Sequence, residues 1–236
     1  MKLHLSILCM IIACYIHIAS AQDASVMNYL QQAGIYAEIY NGRMEMIYAP
    51  SSHENLPYYK NDNFTEASII YRKNYYPNQK ARLDLFQEQL IILSPEKQHG
   101  IILDAQQVEK VQMHNKTIVY LTPPKDSKLN DGYYVQLLEG EKIHLFCKEN
   151  YSLKQQIQGR AVVNYFDHSI RYYLLHNDRY YLVKNKNSFS KLFPQYKKQI
   201  NSFVKDKRLN FKQSKDESLT SLTRYCEELI TPKNKQ

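Results

Sequence analysis

Histidine, cysteine and the carboxylates are the side chains of this 236-residue chain that could do chemistry, and their spacing limits what they could do. Beyond the N-terminal stretch the histidines stand singly at His53, His99, His114, His144, His168 and His176, with no HExxH and no paired Cys-x-x-Cys to grip a metal. His144 and Cys147 share a predicted strand, but an odd spacing sends them to opposite faces. Asp167, His168 and Ser169 place the three residue types of a hydrolytic triad side by side. Neighbours on an extended chain diverge, whereas a triad converges from distant positions. Six glycines leave none to cradle a nucleotide phosphate. The expectation is no catalytic residue, no metal and no cofactor. Because catalytic groups on separate loops leave no local pattern, a hydrolase with dispersed residues stays open as an alternative.

Binding chemistry has more to work with. Residues 184–215 hold ten Lys and Arg against one acid, Asp206, in a chain of net charge +8. Within that stretch Lys197, Lys198, Lys205, Lys207 and Arg208 form a candidate basic face for an envelope protein or an anionic lipid headgroup. Nucleic acid is not expected. Lysine outweighs arginine there, and arginine is the better residue for ordered phosphate contacts, so a merely solvated face is the competing reading. Residues 49–65, rich in Pro, Asn and Ser, read as a long loop carrying Tyr58, Tyr59 and Phe64, a candidate binding loop. The chain has 21 tyrosines and no tryptophan, which favours tyrosine packed in a sheet over a sugar platform.

The element most able to position these groups is Ile170 to Val183. It repeats Arg-Tyr-Tyr-Leu across His176-Asn177-Asp178 and so predicts a β-hairpin. Tyr172 and Leu174 lie on one face, Tyr173 and Leu175 on the other, so both faces need cover. Ala24 to Ala33 predicts a short helix capped by Gly34. Asn41-Gly42 predicts a type I′ hairpin that would set Ile35, Ala37 and Ile39 opposite Tyr48, Met46 and Met44, and Glu38 opposite Glu45. Strands are then expected at 66–71, 82–86, 89–93, 100–103, 108–113 and 117–121, too closely spaced for helical crossovers. A third hairpin pairs 133–137 with 141–147, with Gly140 in the left-handed position. A polar excursion over 148–159 precedes another strand at 161–166. Pro194 should open a helix to about Lys207 with Tyr196, Ile200 and Phe203 on its apolar stripe. Ser214 to Glu217 should cap a second, bearing Leu219, Leu222 and Cys226.

The expected fold class is therefore α+β, mainly β: an antiparallel meander forming a curved sheet or partly open barrel, with a C-terminal helical hairpin packed on it. Residues 1–21 read as a secretory signal peptide, with an apolar run from Leu3 and Ala19-Ser20-Ala21 before the cut. Ile11 to Cys14 also matches a lipoprotein box, which would acylate Cys14 instead. Residues 22–186 would be the β domain and 187–236 the helical hairpin. Only Cys147 and Cys226 would remain, so the core must rest on apolar burial, with the two thiols expected to be separate.

Tyr40-Asn41-Gly42 with Tyr48, Leu56-Pro57-Tyr58-Tyr59, Arg82 to Phe86 with Glu88 and Leu90, and the ending from Tyr180 through Leu192-Phe193-Pro194 to Tyr225 resemble an uncharacterised family of secreted or envelope-associated proteins of Gram-negative bacteria. The resemblance implies an exported protein, periplasmic, outer-membrane associated or extracellular. It carries over no catalytic residue. The function expected is a non-catalytic accessory or interaction protein, with a carrier of a lipid or other apolar ligand in a curved sheet as the alternative.

Overall fold

Burial alternates along residues 65–71 as the period of a half-wet strand requires, and the chain there folds into sheet. The structure, a computed structural model, describes residues 24–48, 53–127, 129–159 and 161–231; the leader sequence and Cys14 lie outside them. The fold is mainly β with antiparallel strands and C-terminal helices. Among the described residues β1 pairs with β5 alone and β11 with β10 alone, so the ladder does not close. The chain falls into two units.

The first unit comprises the described residues up to Ile47 together with Tyr58–Asp84 and Gln89–His114. It holds helix α1 (residues 24–33) and strands β1 (Arg43–Met44), β2 (Thr65–Tyr71), β3 (Asn74–Asp84), β4 (Gln89–Leu93), β5 (Gly100–Ile102) and β6 (Val108–Met113), in the order β1-β5-β4-β3-β2-β6. Strand β6 returns to β2 instead of extending the meander. The Asn41-Gly42 hairpin does not form. Gly34–Tyr36 and Glu38–Tyr40 are 3-10 turns that bury Ala37 and Ile39, and β1 pairs with β5 through Arg43 and Ile102. Gly42 serves that pairing: a Cβ there would sit 2.3 Å from the Ile102 carbonyl oxygen. Long-range pairing has overridden the local turn preference. Glu38 and Glu45 accordingly part, Glu38 to Arg72 at 2.9 Å and Glu45 to Arg82.

The second unit comprises Tyr48–Pro57, Leu85–Glu88 and the chain from Asn115. Its strands β7 (Lys116–Leu121), β8 (Gly132–Glu139), β9 (Ile143–Gln158), β10 (Ala161–His176) and β11 (Arg179–Val183) run in sequence order. The expected polar excursion at 148–159 is instead the second half of β9, matched to β10 residue for residue as far as Gln158 opposite Ala161. Cross-strand polar pairs support it: Lys154 with Asp167 at 2.5 Å, Gln155 with Asn164 at 3.1 Å and His168 with Glu149 at 3.0 Å. Gly140 is not left-handed; it is a point of close approach, where a Cβ would meet the Ile143 carbonyl oxygen at 2.6 Å.

Three helices follow where two were expected: α2 (Lys186–Leu192), α3 (Lys197–Asp206) and α4 (Lys215–Ile230), with Pro194 opening a 3-10 turn ahead of α3. The Ser214 capping box is not made. Ser214 donates to the Asn210 carbonyl, and Asp216 accepts the Tyr172 hydroxyl at 2.6 Å. The two-faced hairpin is covered by helices on one side and only partly covered on the other, where Leu182 is exposed. Tyr172, Leu174 and Cys147 share a face with the helices, where Ile200, Leu219, Leu222 and Cys226 are buried. Tyr173, Phe146 and Tyr134 cluster on the other face with Leu129 and Tyr180. Cys147 and Cys226 are buried thiols that are not joined by a disulfide. Tyr196 and Phe203 are only half buried, and Phe203 stacks on Tyr225 at 4.0 Å.

Candidate binding surface

Beyond Cys147 and Tyr172, β9 and β10 leave the sheet as a two-stranded ribbon. Antiparallel strands alternate residues that bond across the pair with residues that point their backbone groups outward. Phe166 donates its N–H to Asn55 Oδ1 at 2.7 Å and accepts from Asn55 Nδ2 at 2.9 Å, so its backbone faces away from β9. The Asn164 carbonyl likewise accepts from Glu54 N–H at 3.0 Å. The partners of these residues on β9 are Leu153 and Gln155, which must therefore point their own N–H and C=O away from β10. By alternation Tyr151 and Ile157 do the same.

The two edges of the ribbon differ. Residues 53–55 cover the β10 edge in the manner of an added strand, with a parallel bridge between His53 and Asn164 and Gln156 donating to Glu54 at 2.5 Å. Among the described residues no strand pairs with the β9 edge over residues 151–158. The side chains of the outward-pointing residues share one face with those opposite them. On that face Leu153, Ile157, Val162 and Ile170 are 46, 79, 65 and 44 % exposed. Phe166, on the same face, is covered by Tyr48, His53 and Phe86 at ring separations of 5.3, 5.4 and 5.1 Å. An open backbone edge beside exposed aliphatic side chains is the geometry that accepts a further strand.

No family model, curated protein or solved structure matches the chain. The site must therefore be read from its own chemistry. Lys197, Lys198, Lys205, Lys207 and Arg208 are all exposed, and α4 packs on the face of the sheet whose continuation is the aliphatic side of the ribbon. The aromatic loop is differently placed. Tyr58 and Tyr59 are buried and Phe64 is half buried. Arg82 lies over the rings of Tyr58 and Phe64 at 4.5 and 4.4 Å, grips both Glu45 oxygens at 2.7 Å, and donates to the Asp62 carbonyl at 2.8 Å. The Tyr58 hydroxyl donates to Glu45 at 3.1 Å, and burial, then the nearby Glu45 charge, push its pKa up. These aromatic rings pin a loop to the first unit.

A second buried ion pair lies in the second unit. The Lys148 ammonium meets Glu88, donates to the Tyr133 carbonyl at 3.0 Å and sits over the Tyr134 ring at 4.8 Å. Desolvation lowers its pKa, and Glu88 opposes that shift. Glu88 also accepts the Tyr133 N–H at 2.6 Å, so the pair closes on the sheet backbone. Among the described residues no three His, Cys, Asp or Glu converge as a metal site, and no helix is long and apolar enough to cross a membrane. Sequence reasoning missed the ribbon because Lys, Gln and Ser are weak strand formers. The signal that could have found it is the nearly equal spacing of polar residues across Gly159, which lets each find a polar partner.

Proposed function

We propose that this protein is an exported, non-catalytic interaction module of the cell envelope that binds an extended segment of an acidic partner protein along the β9 edge of its ribbon. The observation carrying this reading is the open run of outward backbone groups at Tyr151, Leu153, Gln155 and Ile157 beside exposed Leu153 and Ile157. Backbone donors and acceptors at strand spacing recognise a polypeptide, whereas a lipid headgroup has no matching ladder. The acidic character of the partner follows from charge. A second copy would bring another strongly basic stretch of its own, while an acidic chain complements the stretch from Lys184 to Lys215. Export rests on the leader-like residues 1–21 and on the family resemblance of the sequence.

Gln155→Pro tests this directly. Its N–H points out of the ribbon, so proline removes a docking donor without removing a backbone β9–β10 bond, and gives up only the exposed side-chain contact of Gln155 with Asn164. Unfolding should change by no more than about 1 kcal/mol, and the partner isolated with the wild-type chain from its native envelope should be lost. Hydrogen exchange on the wild-type complex should slow at 151, 153, 155 and 157. Retention of the partner by Gln155→Pro would sink the reading. So would sedimentation showing that the chain pairs with its own copy through this edge.

A further inference from the structure

A cleft of about 700 Å³ opens in the first unit between α1 and the sheet, a size that suits a small ligand. Ala24, Met27 and Leu30 of α1 and Leu93 and Pro95 across from it supply apolar walls. Lys80 and Lys97 stand at its exposed rim, and no Asp or Glu is among its lining residues. A bulge shapes the floor. Ala67 pairs with Gln79 but Ile69 with Tyr76, so Pro77 and Asn78 together face Ser68, one residue too many, with Asn78 left-handed at φ 54°.

Two buried polar side chains line this cleft, and both have a donor hydrogen left over. Gln79, 6 % exposed, accepts from the Tyr40 hydroxyl at 3.1 Å and donates one amide hydrogen to the Pro77 carbonyl at 2.9 Å. Its second amide hydrogen meets no acceptor among the described residues. Ser94, 4 % exposed, accepts from Gln98 and His99 N–H at 3.2 and 3.4 Å, and its own hydroxyl hydrogen donates to no described residue. Buried donors ordinarily find acceptors, so this pair marks where oxygen atoms of a ligand would sit.

Two spare donors, two ammonium groups and no carboxylate call for an acceptor-rich anion, and the aliphatic walls call for a chain behind it. We infer that the cleft binds a long-chain carboxylate, with its head on Gln79, Ser94, Lys80 and Lys97 and its chain along α1. This site stands apart from the ribbon reading and rests on different residues.

Dodecanoate, below its micellar concentration, is the probe, with neutral dodecanol as the control for chain burial alone. Titration calorimetry of the purified full chain should show saturable binding of one dodecanoate. Lys80→Gln combined with Lys97→Gln, both exposed positions, should weaken dodecanoate at least about tenfold, as expected for losing charge-assisted contacts, and leave dodecanol unchanged. Met27→Asp in the wall should weaken both ligands. Gln155→Pro should weaken neither, which keeps failure here distinct from failure at the ribbon. Equal affinity for dodecanoate and dodecanol, or an unaltered dodecanoate affinity in the double lysine variant, overturns the carboxylate assignment. Absence of saturable dodecanoate binding overturns the site itself.

Discussion

Glu45 shows how a single side chain can hold two distant segments. Its carboxylate is almost fully buried, takes a bidentate grip from Arg82 and a hydrogen bond from Tyr58, and so ties the chain after β1 to β3 and to the aromatic loop. A buried pair adds little when complete, but removing one partner leaves an uncompensated charge. Glu45→Gln should therefore cost about 3–5 kcal/mol in urea unfolding, and an unchanged midpoint would mean that Arg82 finds other acceptors. Cys226 carries a different prediction. Burial pushes its thiol from 9.0 up to about 12, so between those pH values the folded chain holds a proton that the unfolded chain releases. Stability should fall as pH rises through that window, at up to ~1.4 kcal/mol per pH unit from this group. Tyr172, raised by burial and then by its bond to Asp216, acts in the same direction above its ordinary 10.0. Cys226→Ala should flatten the slope near pH 9.5 to 10 relative to the wild type, measured by urea unfolding at a series of pH values; equal slopes would remove the assignment.

At the scale of elements, what was legible followed side-chain pattern, and what was not followed long-range pairing. Strands β2, β4, β5, β6 and β7 lie within a residue of their expected bounds because each is a short run rich in branched and apolar residues with turn residues at its ends. Helix α4 and the Ile170–Val183 hairpin were equally legible, since each has an unambiguous apolar stripe or face. Asn41-Gly42 misled because its turn preference amounts to a local bias, and β1 gained more by pairing with β5 beside the buried Ile39. The ribbon misled in the opposite sense. Its side chains are polar, and its regularity comes from the backbone ladder and from cross-strand pairs such as Lys154 with Asp167. The same logic hid the cleft. Residues 24–33 read simply as a short helix, and Gln79 comes to line the cleft only where the bulge at Pro77 and Asn78 sets it across from α1.

The distribution of charge belongs to the whole chain. Lys197, Lys198, Lys205 and Lys207 are exposed while Ile200 of the same helix is buried, so α3 separates cohesion from charge along its two sides. Exposed lysines contribute little to folding, and replacing all four with glutamine should move stability by no more than about 1 kcal/mol. Their effect should appear in association. Charge on the rim of a contact mainly speeds encounter and makes it sensitive to salt. The four-fold variant should therefore bind the partner proposed for the β9 edge more slowly, with a shallower dependence of association rate on ionic strength, and should release it at nearly the wild-type rate. Gln155→Pro should do the reverse, because a lost backbone bond is felt after docking, and its release should be faster. Stopped-flow or surface-based kinetics at two salt concentrations would separate them. If the lysine variant associates at the wild-type rate at low salt, the basic stretch is a solvated helix face and the partner need not be acidic.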